Sequence, residues 1–420
     1  MPEPPAAGAA LDEPGHRSPL IALRYRDFRF FWGGQAISSA GSMMQTAAIG
    51  WQVYLLTHSA LALGLIGLFR VVPIVVFSIW GGVVADVINR RLLMLFTQTS
   101  LIVISAALAV ITISGVAQLW MIYVLTAAGA AALAFDSPAR QALVPSLVPR
   151  VHLSNALSLS STVREVAGIV GPSLAGIIIA TEGVATVYVV DAVSYLSVVV
   201  ALLLIHPPAI KGAAATISIS AAVEGLRFVA RSPILLSTML LDFVATFFSS
   251  AIALLPIFAT DILHAGARGY GILYAAPSAG AILAGIAMTF VAPSIRRQGT
   301  VILFAVGAYA TFTVLFGLSH IFVLSVVMLA GTGASDTVST ILRQTVRQII
   351  TPDALRGRMT SVSMVFFMGC PQLGELEAGV VARSFGAPVS VVSGGLAALL
   401  ATILIAVYGV NLRRYQREHP

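Results

Sequence analysis

The chain is a succession of apolar runs that extends from near residue 28 to near residue 410. A helix needs about 20 apolar residues to cross a hydrocarbon core of about 30 Å, and within that core all backbone polar groups must pair inside the protein. Only 10% of the residues are charged, against about 25% in soluble proteins. The runs therefore predict an all-α membrane protein. Its twelve transmembrane helices are predicted over residues 28–56, 61–85, 92–113, 119–140, 156–180, 184–206, 234–259, 269–292, 299–318, 321–343, 358–382 and 387–410.

The basic residues predict how the chain is oriented. Twenty of the 24 Lys and Arg residues lie near one set of run ends, the set on the same side as both termini. Loops rich in Lys and Arg stay in the cytoplasm, so we expect both termini there, in a multi-pass protein of the bacterial inner (plasma) membrane. Residues 1–22 are rich in Pro, Ala and Gly and contain no signal-peptide core, which predicts a disordered cytoplasmic tail. Residues 413–420 are predicted to form a second, shorter tail.

A long connection divides the runs into two sets of six. Residues 207–233 begin with a Pro pair and end in an amphipathic segment, which predicts a cytoplasmic linker with a helix on the membrane surface. Residues 23–206 and 234–412 are then two six-helix bundles. An ungapped offset of 203 residues relates them, pairing Arg140 and Gln141 with Arg343 and Gln344. Pseudo-symmetric repeats of this kind enclose a site near the bilayer midplane and open it alternately to each side.

The connection between the second and third runs reads GVVADVINRR over residues 82–91. It resembles the signature of the major facilitator superfamily, although positions 84, 87 and 89 depart from that pattern. The resemblance implies the major facilitator fold. It also implies a conformational latch made by Gly82, Asp86, Arg90 and Arg91, with Arg140 as a partner of Asp86. Alternatively, the two arginines serve only membrane topology.

Small residues in the fifth run form a second motif. Gly168, Gly171, Pro172 and Gly176 allow close helix contact at a kink. The motif resembles the antiporter signature of drug and proton exchangers, and this resemblance favours export. Ordinary helix packing explains the same residues.

Three further segments narrow the resemblance. FDSPAR at 135–140, GILYAA at 271–276 and TPDALRGR at 351–358 resemble the bacterial exporter branch that includes the enterobactin exporter. The resemblance covers nearly the whole chain. It implies a secondary active transporter that exports a small organic molecule, either a siderophore or a drug-like amphiphile.

Ionisable residues inside the runs are candidates for coupling or substrate binding, because each costs at least about 2.5 to 3.5 kcal/mol to insert. Asp242 is the first candidate, since a carboxyl in apolar surroundings can take up a proton on one side and release it on the other. Glu375 and Arg70 form a second candidate pair, and Arg164 and Glu165 a third. A buried structural hydrogen bond is the alternative for Asp242, and a structural ion pair is the alternative for Glu375.

Other functions are less well supported by the sequence. An ATP-driven pump is disfavoured because no phosphate-binding GxxxxGK[ST] loop occurs, and we expect no enzymatic activity because the seven His are scattered. One Cys and no His cluster argue against a metal site, and we expect no cofactor and no nucleic-acid partner. The predicted partners are a small-molecule substrate, protons and membrane lipid, with the protein as a monomer. A proton-coupled uptake symporter and a non-transporting membrane sensor remain as alternatives.

Overall fold

The computed structural model describes residues 20–205, 227, 232–248, 251–351 and 356–415, without the side chains of residues 78–83, 85–87, 356–368 and 410. Helices dominate these residues, as predicted. The long ones are α1 (Arg26–Thr57), α2 (Ala60–Val87), α3 (Arg90–Ile113), α4 (Leu119–Leu147), α5 (Leu153–Thr181), α6 (Val184–Leu204), α7 (Pro233–Phe248), α8 (Gly266–Val291), α9 (Gln298–Leu318), α10 (Phe322–Ile350), α11 (Arg356–Phe385) and α12 (Ala387–Tyr408).

Ten of these segments are long and apolar enough to cross a membrane. Short turns over Ala251–Leu254, Leu255–Ile257 and Phe258–Ile262 extend the α7 segment. α1 and α11 are as long as the others but carry more polar side chains, so the prediction that they also cross stays a prediction. The predicted tails and linker, residues 1–22, 207–233 and 413–420, lie largely outside the described residues.

Two helices end about two turns later than the sequence predicted. α4 ends at Leu147 and α10 ends at Ile350, whereas the apolar runs were expected to end at Arg140 and Arg343. Each arginine pairs with a carboxylate on its own helix, Arg140 with Asp136 at 2.9 Å and Arg343 with Asp336 at 3.5 Å. An arginine paired in this way can lie within a helix, so these two did not mark its end.

The helix contacts repeat between the two halves. In the first half α1 packs on α5 and α6, α2 on α4, and α3 on α4 and α6. In the second half α7 packs on α11 and α12, α8 on α10, and α9 on α10 and α12. The main contacts between the halves, α2 with α11 and α5 with α8, exchange under the same internal symmetry.

The single ungapped offset predicted from the sequence holds for only part of the chain. The first residues of α4 and α10, Leu119 and Phe322, are 203 residues apart, as predicted. The first residues of α3 and α9, Arg90 and Gln298, are 208 apart. Loop lengths differ between the halves without disturbing the helix packing, because loops lie outside the packed core.

Glycine pairs set the distance between the halves. A Cβ atom added at Gly176 of α5 would lie 2.9 Å from the Cα atom of Gly271 in α8. A Cβ atom added at Gly64 of α2 would likewise lie 2.9 Å from the Cα atom of Gly379 in α11. Small residues let membrane helices approach to backbone contact. Both crossings lie toward the face opposite the chain termini, which we call the distal face.

The buried apolar residues show where the halves meet. One cluster at the distal face includes residues from both halves, among them Tyr54, Leu63, Phe258 and Tyr270. At the face where α1 begins and α12 ends, called the terminal face, each half has its own cluster. Among the described residues, therefore, apolar packing joins the halves at the distal face and leaves them separate at the terminal face.

The glycine crossing generates a prediction. Gly176→Val should force α5 away from α8 and favour an open distal face, because added atoms would overlap the Gly271 backbone. Spin labels at Glu182 and Phe385, exposed at distal helix ends of the two halves, should move apart in a Cys370→Ala background. Gly129→Val is the matched control, since a Cβ atom there meets nothing within 4 Å. Equal label distances in both variants would contradict the prediction.

Candidate functional site

Among the residues that the structure describes, two side-chain hydrogen bonds join the halves at the distal face. The Tyr54 hydroxyl at the end of α1 donates to the Asp261 carboxylate in the turn after α7. The Tyr270 hydroxyl of α8 donates to the carbonyl oxygen of Ala47 in α1 at 3.0 Å, and its ring lies 5.2 Å from that of Trp51. We call these contacts the distal seal. The Tyr270 bond is buried, so its two atoms gain more from each other than they would at a wet surface, whereas the Tyr54 bond joins a buried hydroxyl to a carboxylate that is exposed to solvent.

A small pocket lies beside the seal, between the halves. Arg70 of α2, Glu375 of α11, Tyr270 and Tyr274 contribute to its wall. Its volume of about 30 Å³ leaves room for about two water molecules and none for an organic substrate. The structure thus brings the predicted pair Arg70 and Glu375 to one pocket, although within the described part of the chain the two groups do not form a direct ion pair.

Asp242 lies within an arginine network in the second half. Its carboxylate pairs with Arg343 at 3.0 Å and with Arg347 at 3.1 Å, both from α10. Arg343 also contacts Asp336 at 3.5 Å and donates to Thr340 at 3.0 Å. The sequence placed Arg343 at the cytoplasmic end of a helix and Arg347 in the connection that follows it, whereas both lie within α10 and the Arg343 side chain is only 2% exposed. Asp242 has no basic neighbour in sequence, and tertiary packing supplies two.

The arginine network is incompletely paired. Nε and Nη1 of Arg343 and Nε of Arg347 are buried without a hydrogen-bond partner. Buried donors on a charged group are costly when unpaired. Because these guanidinium nitrogens are unpaired, the two arginines could form different hydrogen bonds if α7 and α10 moved relative to each other.

The first half has a related ion pair. Asp136 of α4 is fully buried and accepts hydrogen bonds from Thr97 and Gln98 of α3, each at 2.9 Å. Arg140 pairs with it at 2.9 Å. The sequence proposed Asp86 as the partner of Arg140. The side chains of Gly82 and Asp86 lie outside the described residues, so the latch stays a prediction.

The two other latch residues bond within the first half. Arg90 donates to the carbonyl oxygen of Ala142 in α4 at 2.9 Å, and Arg91 donates to the carbonyl oxygens of Leu202 and Leu203. Those last two carbonyls belong to the end of α6, where a cation is favourable. Both arginines thus tie the α2–α3 connection to the terminal ends of their own bundle.

The remaining predicted residues lie on α5. Arg164 and Glu165 are exposed, and Glu165 lies close enough to Asp336 of the other half for their charges to interact. Gly168 and Gly176 face α8, and Gly171 packs against Ala40 and Met43 of α1. The backbone oxygen of Pro172 contacts α8 near Gly271. The predicted small-residue motif therefore lies where α5 meets both α1 and α8.

Sequence reasoning missed the distal seal and the two arginines that bind Asp242. Tyr54 and Asp261 are 207 residues apart, and no local pattern signals such a pair. Arg343 lies 203 residues after Arg140, at the equivalent position of the internal repeat. That equivalence was the signal in the sequence that could have pointed to Arg343. Among the described residues, no three His, Cys, Asp or Glu side chains are grouped to hold a metal ion.

Two symmetric helix bundles that meet at one face, with charged groups buried inside each, define a membrane transporter of the major facilitator type. The family described as transmembrane secretion effector matches residues 17–419. The chain belongs to this family of the major facilitator superfamily.

Individual proteins show the same similarity. The chain is 26% identical to the enterobactin exporter EntS of Escherichia coli over 94% of each chain. It is 25% identical to the staphyloferrin A transporter of Staphylococcus aureus over 85% of this chain and 90% of that one. A POT family transporter in complex with 5-aminolevulinic acid has the same fold, with a TM-score of 0.74 and 11% identity over 92% of this chain and 96% of the other.

The distal seal generates a second prediction. Tyr54→Phe removes the donor to Asp261 and should shift the protein toward a state with an open distal face. A hydrogen bond to a charged group contributes about 1.5 to 3 kcal/mol, and because Asp261 is exposed to solvent the low end applies, so the shift should be about 10-fold. Distances between spin labels at Glu182 and Phe385 measure it.

Two comparisons make this prediction specific to the hydrogen bond. Asp261→Asn should produce a shift of the same direction, and the double variant should add little to either single change. Tyr123→Phe is the matched control, because that hydroxyl donates within the first half, to Ala62 at 2.8 Å. A shift as large for Tyr123→Phe would show that loss of any buried tyrosine hydroxyl is enough.

Proposed function

We propose that this transporter exports a small organic molecule, a siderophore or a drug-like amphiphile, across the bacterial inner membrane in exchange for protons. Two relatives that match nearly the whole chain are named as a siderophore exporter and a siderophore transporter. The family is described as a secretion effector. The small-residue motif of α5 supports the same direction, since its resemblance is to antiporters.

The position of the distal seal carries the proposal of alternating access. In the described residues one apolar cluster joins both halves at the distal face, while each half keeps a separate cluster at the terminal face. With the termini in the cytoplasm, such a molecule is closed to the outside and receives its substrate from the cell. Rocking of the halves about the glycine crossings would then open the distal face.

Asp242 is the proposed coupling residue. In the sealed state its carboxylate has two guanidinium partners, an arrangement suited to a carboxylate that has delivered its proton to the cytoplasm. Movement of α7 against α10 would remove these partners and favour proton uptake. An exporter of this design delivers protons on the side from which it takes the substrate.

The remaining predicted residues have supporting roles in this proposal. Arg70 and Glu375 line a pocket that has room for water, which suits a secondary proton-coupling position, and a substrate-binding role would require the pocket to widen as the halves move. Glu165, with Arg164 beside it, would extend the charged surface between the halves toward Asp336. Asp86, with Gly82, Arg90, Arg91 and Arg140, would latch the terminal face once it closes.

The test is proton movement in inside-out vesicles that contain the full chain. A pH-gradient dye reports the acid interior while siderophores, macrolides and cationic dyes are added one at a time. We expect a transported compound to collapse the gradient in wild type and to accumulate inside. Asp242→Asn should abolish both effects, because Asn has a similar shape but does not bind a proton.

The control for this test is Glu182→Gln, a carboxyl change at an exposed distal position, which should transport as wild type does. Asp242→Asn leaves Arg343 and Arg347 without their shared partner, so a double variant with Arg343→Gln restores the charge balance. Gradient collapse by Asp242→Asn at the wild-type rate would exclude the proposed role. Gradient-driven accumulation in right-side-out vesicles instead would indicate an uptake symporter.

A further inference from the structure

A second fully buried carboxyl lies in the first half. Asp191 of α6 has no exposed surface. Its Oδ2 atom accepts a hydrogen bond from the Ser105 hydroxyl of α3 at 2.7 Å, and Gln45 of α1 donates to the same hydroxyl at 2.8 Å. Its Oδ1 atom has no partner and lies against Gly41 of α1, where an added Cβ atom would be 2.9 Å away.

The surroundings of this carboxyl are neutral. Gln45 and Ser105 face it from α1 and α3, and Ser194 lies beside it on α6. Two tyrosines of its own helix lie close enough to interact with it electrostatically. Tyr188 donates to Gln52 at 2.6 Å, and Tyr195 shares a hydrogen bond with Ser42 at 2.9 Å.

The other buried aspartates differ in this respect. Asp136 has no exposed surface but pairs with Arg140, and Asp242 pairs with two arginines. Among the described residues, Asp191 is the fully buried carboxyl without a cationic partner. An isolated ionised carboxylate in an apolar interior is so costly that it instead binds a proton. As a neutral acid, Asp191 keeps the Ser105 hydrogen bond on its carbonyl oxygen.

From this geometry we propose that Asp191 is a proton-binding site in the first half and that the proton exchanges when α1 moves. α1 lies against the carboxyl at Gly41 and reaches it indirectly through the Gln45 bond to Ser105, and the same helix carries the distal seal through Ala47 and Tyr54. A shift of α1 that breaks the seal would therefore loosen the packing that keeps water from Asp191. Only this exchange step rests on the proposed transport cycle.

Infrared spectroscopy of the purified full chain tests the site without a substrate. We expect wild type to show the carbonyl stretch of a protonated carboxyl in apolar surroundings, and Asp191→Asn to lack it. Ser105→Ala should keep the band but move it to higher frequency, because a hydrogen bond to the carbonyl oxygen is lost. Glu182→Gln, at an exposed position, should leave it unchanged. A wild-type spectrum without an Asp191 band would overturn the proposal.

The exchange step has its own readout. In D₂O the band moves to lower frequency as deuterium replaces the proton, and this should be slow in wild type and at least several-fold faster in Tyr54→Phe. Equal exchange rates would overturn the link to α1. Loss of the band in sodium chloride, but not in choline chloride, would identify a sodium site instead of a proton site. These measurements need no transported compound, so their failure and failure of the proposed export are distinguishable.

Discussion

The absence of water in the hydrocarbon core is the constraint on which the rest of this structure depends. Backbone groups there must pair within the chain, which makes the described residues almost wholly helical. Side chains obey the same rule. Asp136 and Arg343 are buried, and Asp242 is largely buried, because each reaches a partner of opposite charge. Asp191 is the exception, because it reaches only neutral donors. The proton that we propose it binds would remove its charge.

Packing between membrane helices cannot rely on expulsion of water, so close contact has to supply the association energy. The two glycine crossings supply it here, Gly176 with Gly271 and Gly64 with Gly379. They are equivalent under the internal symmetry, and both lie toward the distal face. The halves are therefore joined at one end by backbone contact and by few hydrogen bonds. Such a joint allows rocking with little loss of contact.

The charged groups are distributed in a way that suits such motion. Each half keeps its own ion pairs, around Asp136 in the first and around Asp242 in the second. Among the described residues, the side-chain hydrogen bonds between the halves are the two hydroxyl bonds of the distal seal, and the charges of Glu165 and Asp336 interact without a direct bond. Weak contacts across the interface and strong contacts within each bundle would let the bundles move as rigid units in the proposed cycle. α1 takes part in both kinds of contact, because it forms the seal between the halves and also packs around Asp191 within the first half.

The sequence by itself determined the helical membrane class, most helix positions, the division into halves and the family motifs, because hydropathy and loop charge act locally. It also named Asp242, Glu375 and Arg70, since a charge inside an apolar run is visible without a structure. Only the tertiary structure supplied the partners: Arg343 and Arg347 for Asp242, Asp261 for Tyr54, and the neutral surroundings of Asp191. Those partners come from other helices, and packing geometry rather than sequence spacing decides which side chains meet.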